Sequence, residues 1–311
     1  MSMKSALKIT ALLFAACICF SGCSNDSADI KDEGMVFTDA LGHSVTVDKP
    51  EKVAALSGSL AELWLLSGGK LAAVTSDAYD EHLFEVPENA ANVGMMKSPS
   101  VEQMIALDID FVLLSSEIIE HAALYDVLSD SGITTAYFDV ECSDDYLSAL
   151  KICTDITGKN ELYEENGIAV QEKINAVIAK SAEREKPSVL YIRAFSSGAK
   201  AKGSNSLAGG MLADLGCVNI ADSSQSLLED LSIEEIIRLD PDYIFVTTMG
   251  SDEEKAIAAL KSGIQSSPAW SELSAVKNGR YIVLPKNLFH YKPNARWGES
   301  YEMLAEILYG E

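Results

Sequence analysis

Histidine is scarce in this 311-residue chain: there are four, and no two are spaced to close a zinc or manganese cage. Cysteine offers little more. Cys142, Cys153 and Cys217, the three beyond the N-terminal segment, form neither a CxxC pair nor a cysteine-histidine pattern. Being odd in number, they do not all pair internally. They read mostly as small buried hydrophobes, with a Cys142 to Cys153 disulfide left open by the sequence. Positive charge is also thin, 24 Lys and Arg against 47 Asp and Glu, for a net charge of −23. Such a surface repels nucleic acid and anionic lipid, so an anionic ligand would need a local cluster of Lys and Arg in a cleft. There is no GxSxG elbow, and "GAKAKGSN" (198–205) lacks the lysine that a phosphate loop places after its second glycine.

Long hydrophobic runs are limited to "ITALLFAACICF" (9–20), which follows Lys4 and Lys8. Twelve residues are too few to span a bilayer and suit the core of a signal peptide, so residues 1–22 are expected to be removed. The run ends in "FSGC", which resembles a bacterial lipobox with Phe20 in the place usually held by leucine. That resemblance implies lipidation of Cys23 and a membrane anchor, with 23–35 as a polar tether.

The remainder is rich in hydrophobic residues, 48% of the whole chain. Strand-like and helix-like segments alternate from 36 to 158 and again from 187 to 311, with apolar runs too continuous for a sheet exposed on one face. The expectation is an α/β protein with two Rossmann-like lobes built on parallel sheets. Between them, residues 159–186 carry helical periodicity without a strand of their own, and read as one long linker helix ending before Pro187.

The two lobes share a sentence. "SVEQMIALDIDFVLL" (100–114) recurs as "SIEEIIRLDPDYIFV" (232–246), with Ser, Glu, Ile, Leu and two Asp identical in register. Ser100 with Gln103, and Ser232 with Glu235, have the spacing of a helix capping box. Val101, Met104 and Ile105, like Ile233, Ile236 and Ile237, read as the buried face. Glu102 and Glu234 lie off that face: each is favourable near a helix N-terminus, worth roughly 0.3–1 kcal/mol, or is an exposed carboxylate awaiting a basic partner.

With "DALGHSVTVDKPEKVAAL", "NVGMMKSPSVEQMIALDIDFVLL", "GMLADLGCVNIAD", "LSIEEIIRLDPDYIFV" and "SSPAWSELSAVKNGRYIVLP" in this order, the chain resembles the substrate-binding lipoproteins of bacterial ABC importers for iron-siderophore, haem and cobalamin. That is the class III type of periplasmic binding protein, in which one helix links two lobes. The resemblance covers nearly all of 36–311. It implies a monomeric, extracytoplasmic, non-enzymatic protein with no cofactor of its own, which captures a metal chelate and docks onto a permease through one glutamate per lobe, here Glu102 and Glu234.

A ligand in such a fold lies against loops at the carboxyl ends of the strands. Those loops are 57–59, 76–79, 94–98, 115–117, 193–205, 248–252 and 286–297. Lys97, Arg193 and Arg296 would supply positive charge there, with Lys200 and Lys202 reading rather as solvated loop charges. Tyr79, Met95, Met96, Tyr291 and Trp297 would supply apolar contact, although Trp297 reads equally well as core. His290 beside Tyr291 would offer an axial haem ligand on the thin ground of one dipeptide. An Fe(III)-siderophore is the first ligand expectation, with haem and corrinoid next. The rival readings are a metal-dependent hydrolase on the same scaffold and a surface lipoprotein that takes no part in transport.

Overall fold

Residues 34–80 and 84–310 are described by the structure, a computed structural model. The signal segment, Cys23 and the first part of the tether lie outside the described residues. The order begins with an antiparallel hairpin, β1 (Met35–Thr38) and β2 (Ser44–Val47). Then follow β3 (Val53–Ala55), α1 (Gly58–Leu66), β4 (Leu71–Val74), α2 (Asp77–Asp80) and β5 (Ala91–Asn92). A second small hairpin, β6 (Gly94–Met95) with β7 (Ser98–Pro99), leads to α3 (Val101–Ala106) and β8 (Phe111–Ser115). The lobe closes with α4 (Ile119–Ala122), α5 (Tyr125–Asp130) and β9 (Thr134–Phe138).

Its sheet has the order β5-β4-β3-β8-β9, and every pairing is parallel. Successive residues of β3 and β8 enter different cores: Ala55, Phe111 and Leu113 pack on one face, Ala54, Val112 and Leu114 on the other. This two-sided burial explains why the runs lack polar alternation. Helices α4 and α5 follow one another closely, joined at Ala123 and Leu124.

Helix α6 (Ser143–Thr157) ends on Gly158, which takes the left-handed conformation at φ 71°. The chain then stays helical from Asn160 to Ser181 as α7 (Asn160–Tyr163), a π-turn (Glu164–Ile168) and α8 (Ala169–Ser181). Gly167 lies in the π-turn where an added Cβ would meet Tyr163, Leu147 and Leu150 at 3.1–3.2 Å, so its bareness lets this segment pass close to α6. Cys142 caps α6 and Cys153 lies on its buried face, both free. Eleven residues of helix separate them by roughly 16 Å at 1.5 Å per residue, so the open question of a disulfide is answered in the negative.

The second lobe contains β10 (Ser188–Phe195), β11 (Gly198–Lys202), α9 (Leu207–Asp214), β12 (Val218–Asn219), α10 (Gln225–Glu229), α11 (Ile233–Leu239) and β13 (Tyr243–Thr248). It ends with α12 (Glu253–Ser262), α13 (Ser274–Lys277), β14 (Tyr281–Val283), α14 (Lys286–Phe289) and α15 (Trp297–Tyr309), the last packed along α8. Its sheet runs β11-β10-β13-β14, with β12 beside the start of β10. One expectation is corrected here. The segment 193–205 is not a loop, because β10 continues to Phe195 and returns as β11, antiparallel, with Arg193 opposite Lys200. This sheet is therefore mixed, its other pairings being parallel.

The repeated sentence proves largely structural. Ser100 Oγ accepts the Gln103 amide at 3.2 Å, and Ser232 Oγ accepts that of Glu235 at 3.4 Å. The reciprocal half is absent at Glu235, whose carboxylate binds Arg238 and Ser224 while the Ser232 amide donates to the Asp230 carbonyl. Asp108 and Asp240 both turn the chain with positive φ, 54° and 38°. Asp110 accepts the amides of Glu51 and Lys52, and Asp242 accepts the amide and hydroxyl of Ser188, so each pins the start of the strand next to its own. Met104 and Ile236 are fully buried, yet Ile105 and Ile237 are 48% and 41% exposed. A step of about 100° per residue puts adjacent positions on different faces, and these helices are too short to bury both.

Replacing Asp110 or Asp242 by Ala should each destabilise the protein by about 1–3 kcal/mol, read as a lower urea midpoint. The Ser188 side-chain hydrogen bond holds Asp242 below the ordinary 3.8. Its contribution is present above that value and fades as pH falls through the lower folded one, so Asp242→Ala should flatten this part of the acid-unfolding curve.

Candidate functional site

In the first sheet the strand order reverses direction at β3, whose neighbours β4 and β8 lead the chain away to opposite sides; β10 holds the same place in the second. Loops leaving the carboxyl ends of two such strands diverge and leave a crevice. The crevice here is a cavity of about 470 Å³. Ser57 and Ser59 reach it from the end of β3, Ser115 and Glu117 from β8, Phe138 and Val140 from β9, and Met249 and Gly250 from β13. The segment after β14 adds His290, Tyr291, Lys292 and Asn294. Both lobes therefore build one wall each, at a volume suited to a small organic ligand or chelate.

The two walls differ in charge. On the second lobe, Lys292 faces the cavity, and Lys286 lies 4.9 Å over the Tyr291 ring while donating to the Gly250 carbonyl at 2.6 Å. Burial, and then the charges of Arg193, Lys286 and Lys292, push His290 down to about 4, so it is a neutral imidazole at neutral pH. Its Nδ1 is buried without a hydrogen-bond partner, as is Arg193 Nε. On the first lobe, Glu117, Asp139 and Glu141 bring carboxylate oxygens within 4.8 Å of one another. Burial and then Glu117 raise Asp139, and a hydrogen bond with Glu117 raises Glu141. These three exposed carboxylates are the only grouping among the described residues with the donors and spacing for a metal ion, of the oxygen-seeking kind.

Two contacts join the walls. Lys292 Nζ lies 3.1 Å from Glu117 Oε2. Asn294, buried and left-handed at φ 49°, donates from Nδ2 to the Ser59 carbonyl at 3.0 Å and to Glu62 Oε2 at 2.7 Å. Burial raises the pKa of Glu62, against the opposing effects of Asn294 and Arg296.

Residues 53–288 match the model of a family described as periplasmic binding protein. The chain belongs to that family. The Fe(3+)-citrate-binding protein YfmC of Bacillus subtilis (strain 168) is 22% identical over 284 residues, covering 88% of this chain and 87% of YfmC. Among solved structures, Staphylococcus aureus SirA complexed with staphyloferrin B superposes with a TM-score of 0.69 at 21% identity, covering 89% of this chain and 97% of SirA. S. aureus IsdE complexed with heme gives 0.69 at 14% identity, covering 83% and 98%. The two-lobed α/β fold and the family expected from the sequence motifs are thus those observed. Family membership implies a place outside the cytoplasm for this periplasmic binding protein, and the relatives named above are binding proteins. No helix among the described residues is long and apolar enough to cross a membrane.

Of the residues singled out in the sequence, Met96, Lys97, His290 and Tyr291 line the cavity of this periplasmic binding protein. Arg193 stands behind the wall, close enough to act electrostatically on His290 and Lys202. The other four do not line it. Met95 is 65% exposed, and Tyr79 donates its hydroxyl to the Ala90 carbonyl. Arg296 is bound at 2.7 and 2.8 Å by both oxygens of Glu299, and Trp297 is 1% exposed within the core shared by the lobes. The two readings left open for Trp297 thereby resolve to core. Phe138 and Val140 were missed, although the rule of carboxyl-terminal loops applies to β9 as to its neighbours. Leu60 and Leu63 were missed because they enter from a helix, α1.

Asn294→Gly keeps the left-handed backbone and removes both links to α1, whereas Asn294→Ala adds conformational strain. The expected cost is about 1–3 kcal/mol for the first and more for the second, and small-angle scattering should show a larger radius of gyration for both.

Proposed function

We propose that this protein captures a ferric chelate outside the cell and delivers it to an ABC permease, with haem and corrinoid as the next candidates. The observation that carries the reading is the cavity between the lobes, where Lys97 and Lys292, backed by Arg193 and Lys286, collect cations in a chain of net charge −23. Ferric chelates built on carboxylates or hydroxamates present oxygen-rich, often anionic surfaces, which such cations recognise while Phe138, Met96 and Tyr291 contact the organic frame. His290 adds a neutral imidazole to the same wall. The named cargoes of YfmC, SirA and IsdE point to the same class of molecule.

Delivery would use Glu102 and Glu234. Both are exposed, at the second position of equivalent helices, and Ser232 Oγ holds the Glu234 carboxylate at 3.0 Å. Ile105 and Ile237 follow one turn later, exposed in both copies, and give each carboxylate an apolar neighbour. Two like patches suit a partner with two like subunits. Cys23 would carry the lipid anchor, with the lobes 36–158 and 187–311 moving as bodies about the helix of 159–186, and the protein acting as a monomer.

Titration with ferric citrate, ferric siderophores, haem and cobalamin, followed by tryptophan fluorescence, should give a saturable response to a ferric chelate; silence with all four overturns the reading. Lys97→Ala and Lys292→Ala should each weaken an anionic chelate about tenfold or more and reduce the salt dependence of binding. Glu102→Arg with Glu234→Arg should abolish uptake by cells at unchanged chelate affinity, and normal uptake would remove the docking role.

A further inference from the structure

His121 lies behind the cavity, fully buried, and has no place in the reading above. Its ring joins two ligand-facing loops. The Ser115 amide donates to Nδ1 at 3.1 Å, and Nε2 lies 2.9 Å from the Met96 carbonyl. A backbone amide is always a donor and a carbonyl always an acceptor, so the ring is neutral and carries its proton on Nε2. Met96 belongs to the turn between β6 and β7, Ser115 to the end of β8, and both residues line the cavity. Within the first lobe the ring thus bridges the turn that presents Lys97 and the loop that presents Glu117.

The surroundings hold the ring in place. Tyr137 donates its hydroxyl to the His121 carbonyl at 3.0 Å, and Tyr137 is itself anchored through its amide to Asp39. The charged groups facing the imidazole are Asp77, from α2, and Glu120, from its own helix α4. Burial is the largest influence and pushes its pKa below the ordinary 6.5, while the Met96 hydrogen bond, Asp77 and Glu120 pull the other way. Protonation would place a second N–H on Nδ1, against the Ser115 amide, where two donors cannot share a bond.

We propose that His121 is the positioning residue of the cavity, a neutral imidazole that sets the spacing between the Met96–Lys97 turn and the Ser115–Glu117 loop and releases it when protonated. The inference rests on the cavity being the cargo site, but the bridge itself can be tested without cargo. The sign of the pH effect follows from the geometry. With a folded pKa below 6.5, the bridge is complete above that value and is lost as pH falls through the folded pKa, so cargo should be held less tightly in acid.

Three substitutions divide the bridge. His121→Asn keeps an acceptor where Nδ1 stood, His121→Gln keeps a donor toward Met96, and His121→Leu keeps neither. In the full protein, nitrogen NMR of the histidines should show the Nε2–H tautomer. Hydrogen exchange should show a protected Ser115 amide in the wild type and in His121→Asn, and a faster one in His121→Leu and His121→Gln. Equal Ser115 protection in wild type and His121→Leu, or a different tautomer, overturns the proposal whether or not any chelate binds. With ferric citrate or a ferric siderophore as probe, His121→Leu should bind about tenfold more weakly at neutral pH, the effect of losing roughly one hydrogen bond's net worth. That ratio to wild type should shrink toward one as pH falls through the His121 midpoint, and the titrations of the probe and of His290 cancel in it. A ratio that does not change across the midpoint overturns the proposal, because a merely structural histidine would give that result.

Discussion

The arrangement depends on one constraint: a strand buried on both faces is joined to a parallel neighbour only by a chain segment that crosses over one face or the other. At β3 and at β10 the neighbouring strands are reached in opposite directions, and the loops at the carboxyl ends part. The groups brought by β3, β8, β9 and β13 stand at or just beyond the carboxyl ends of those strands, while Met96 and Lys97 come from the turn between β6 and β7 and His290 to Asn294 from the segment after α14. The cavity is thus a consequence of topology before it is a matter of side chains. Asp110 and Asp242 serve the same constraint from the opposite end, fixing where the adjacent strand begins and hence where its far end emerges.

The two walls then divide the chemistry. Three carboxylates gather on the first lobe, which also brings Lys97, and the remaining cations stand on the second, with Lys292 and Glu117 paired across the gap. With one partner on each lobe and partial exposure of both, such a pair contributes little net stability. Its effect is on orientation, since it draws Lys292 across the mouth of the cavity. Asn294 differs, because it is itself buried and its two hydrogen bonds span the longest sequence separation in the site.

Much of this was legible in the sequence. Continuous apolar runs such as Phe111–Leu114 announce parallel strands, and the Ser-x-x-Gln and Ser-x-x-Glu spacings announce where α3 and α11 begin. Local patterns settle such features because the interactions are local. The β11 strand was hidden by its composition: Gly198, Lys200 and Lys202 look like a loop, and only pairing with β10 makes them a strand. Arg296 and Trp297 look alike from sequence, as large groups after a strand, and are drawn away by Glu299 and by the shared core. His121 gave no signal, because its meaning lies in a carbonyl 25 residues away.

The contrast between an acidic molecule and a cavity wall carrying Lys286 and Lys292 acts on rates as well as on grip. For an anionic cargo the long-range field of the protein is repulsive and the short-range field at that wall attractive, with the crossover near a screening length of about 10 Å at 0.1 M salt. Added salt therefore hastens arrival by hiding the distant charges and hastens departure by weakening the near ones. Exchange of cargo quickens in both directions, and such a molecule trades readily with its surroundings in brine and slowly in fresh water.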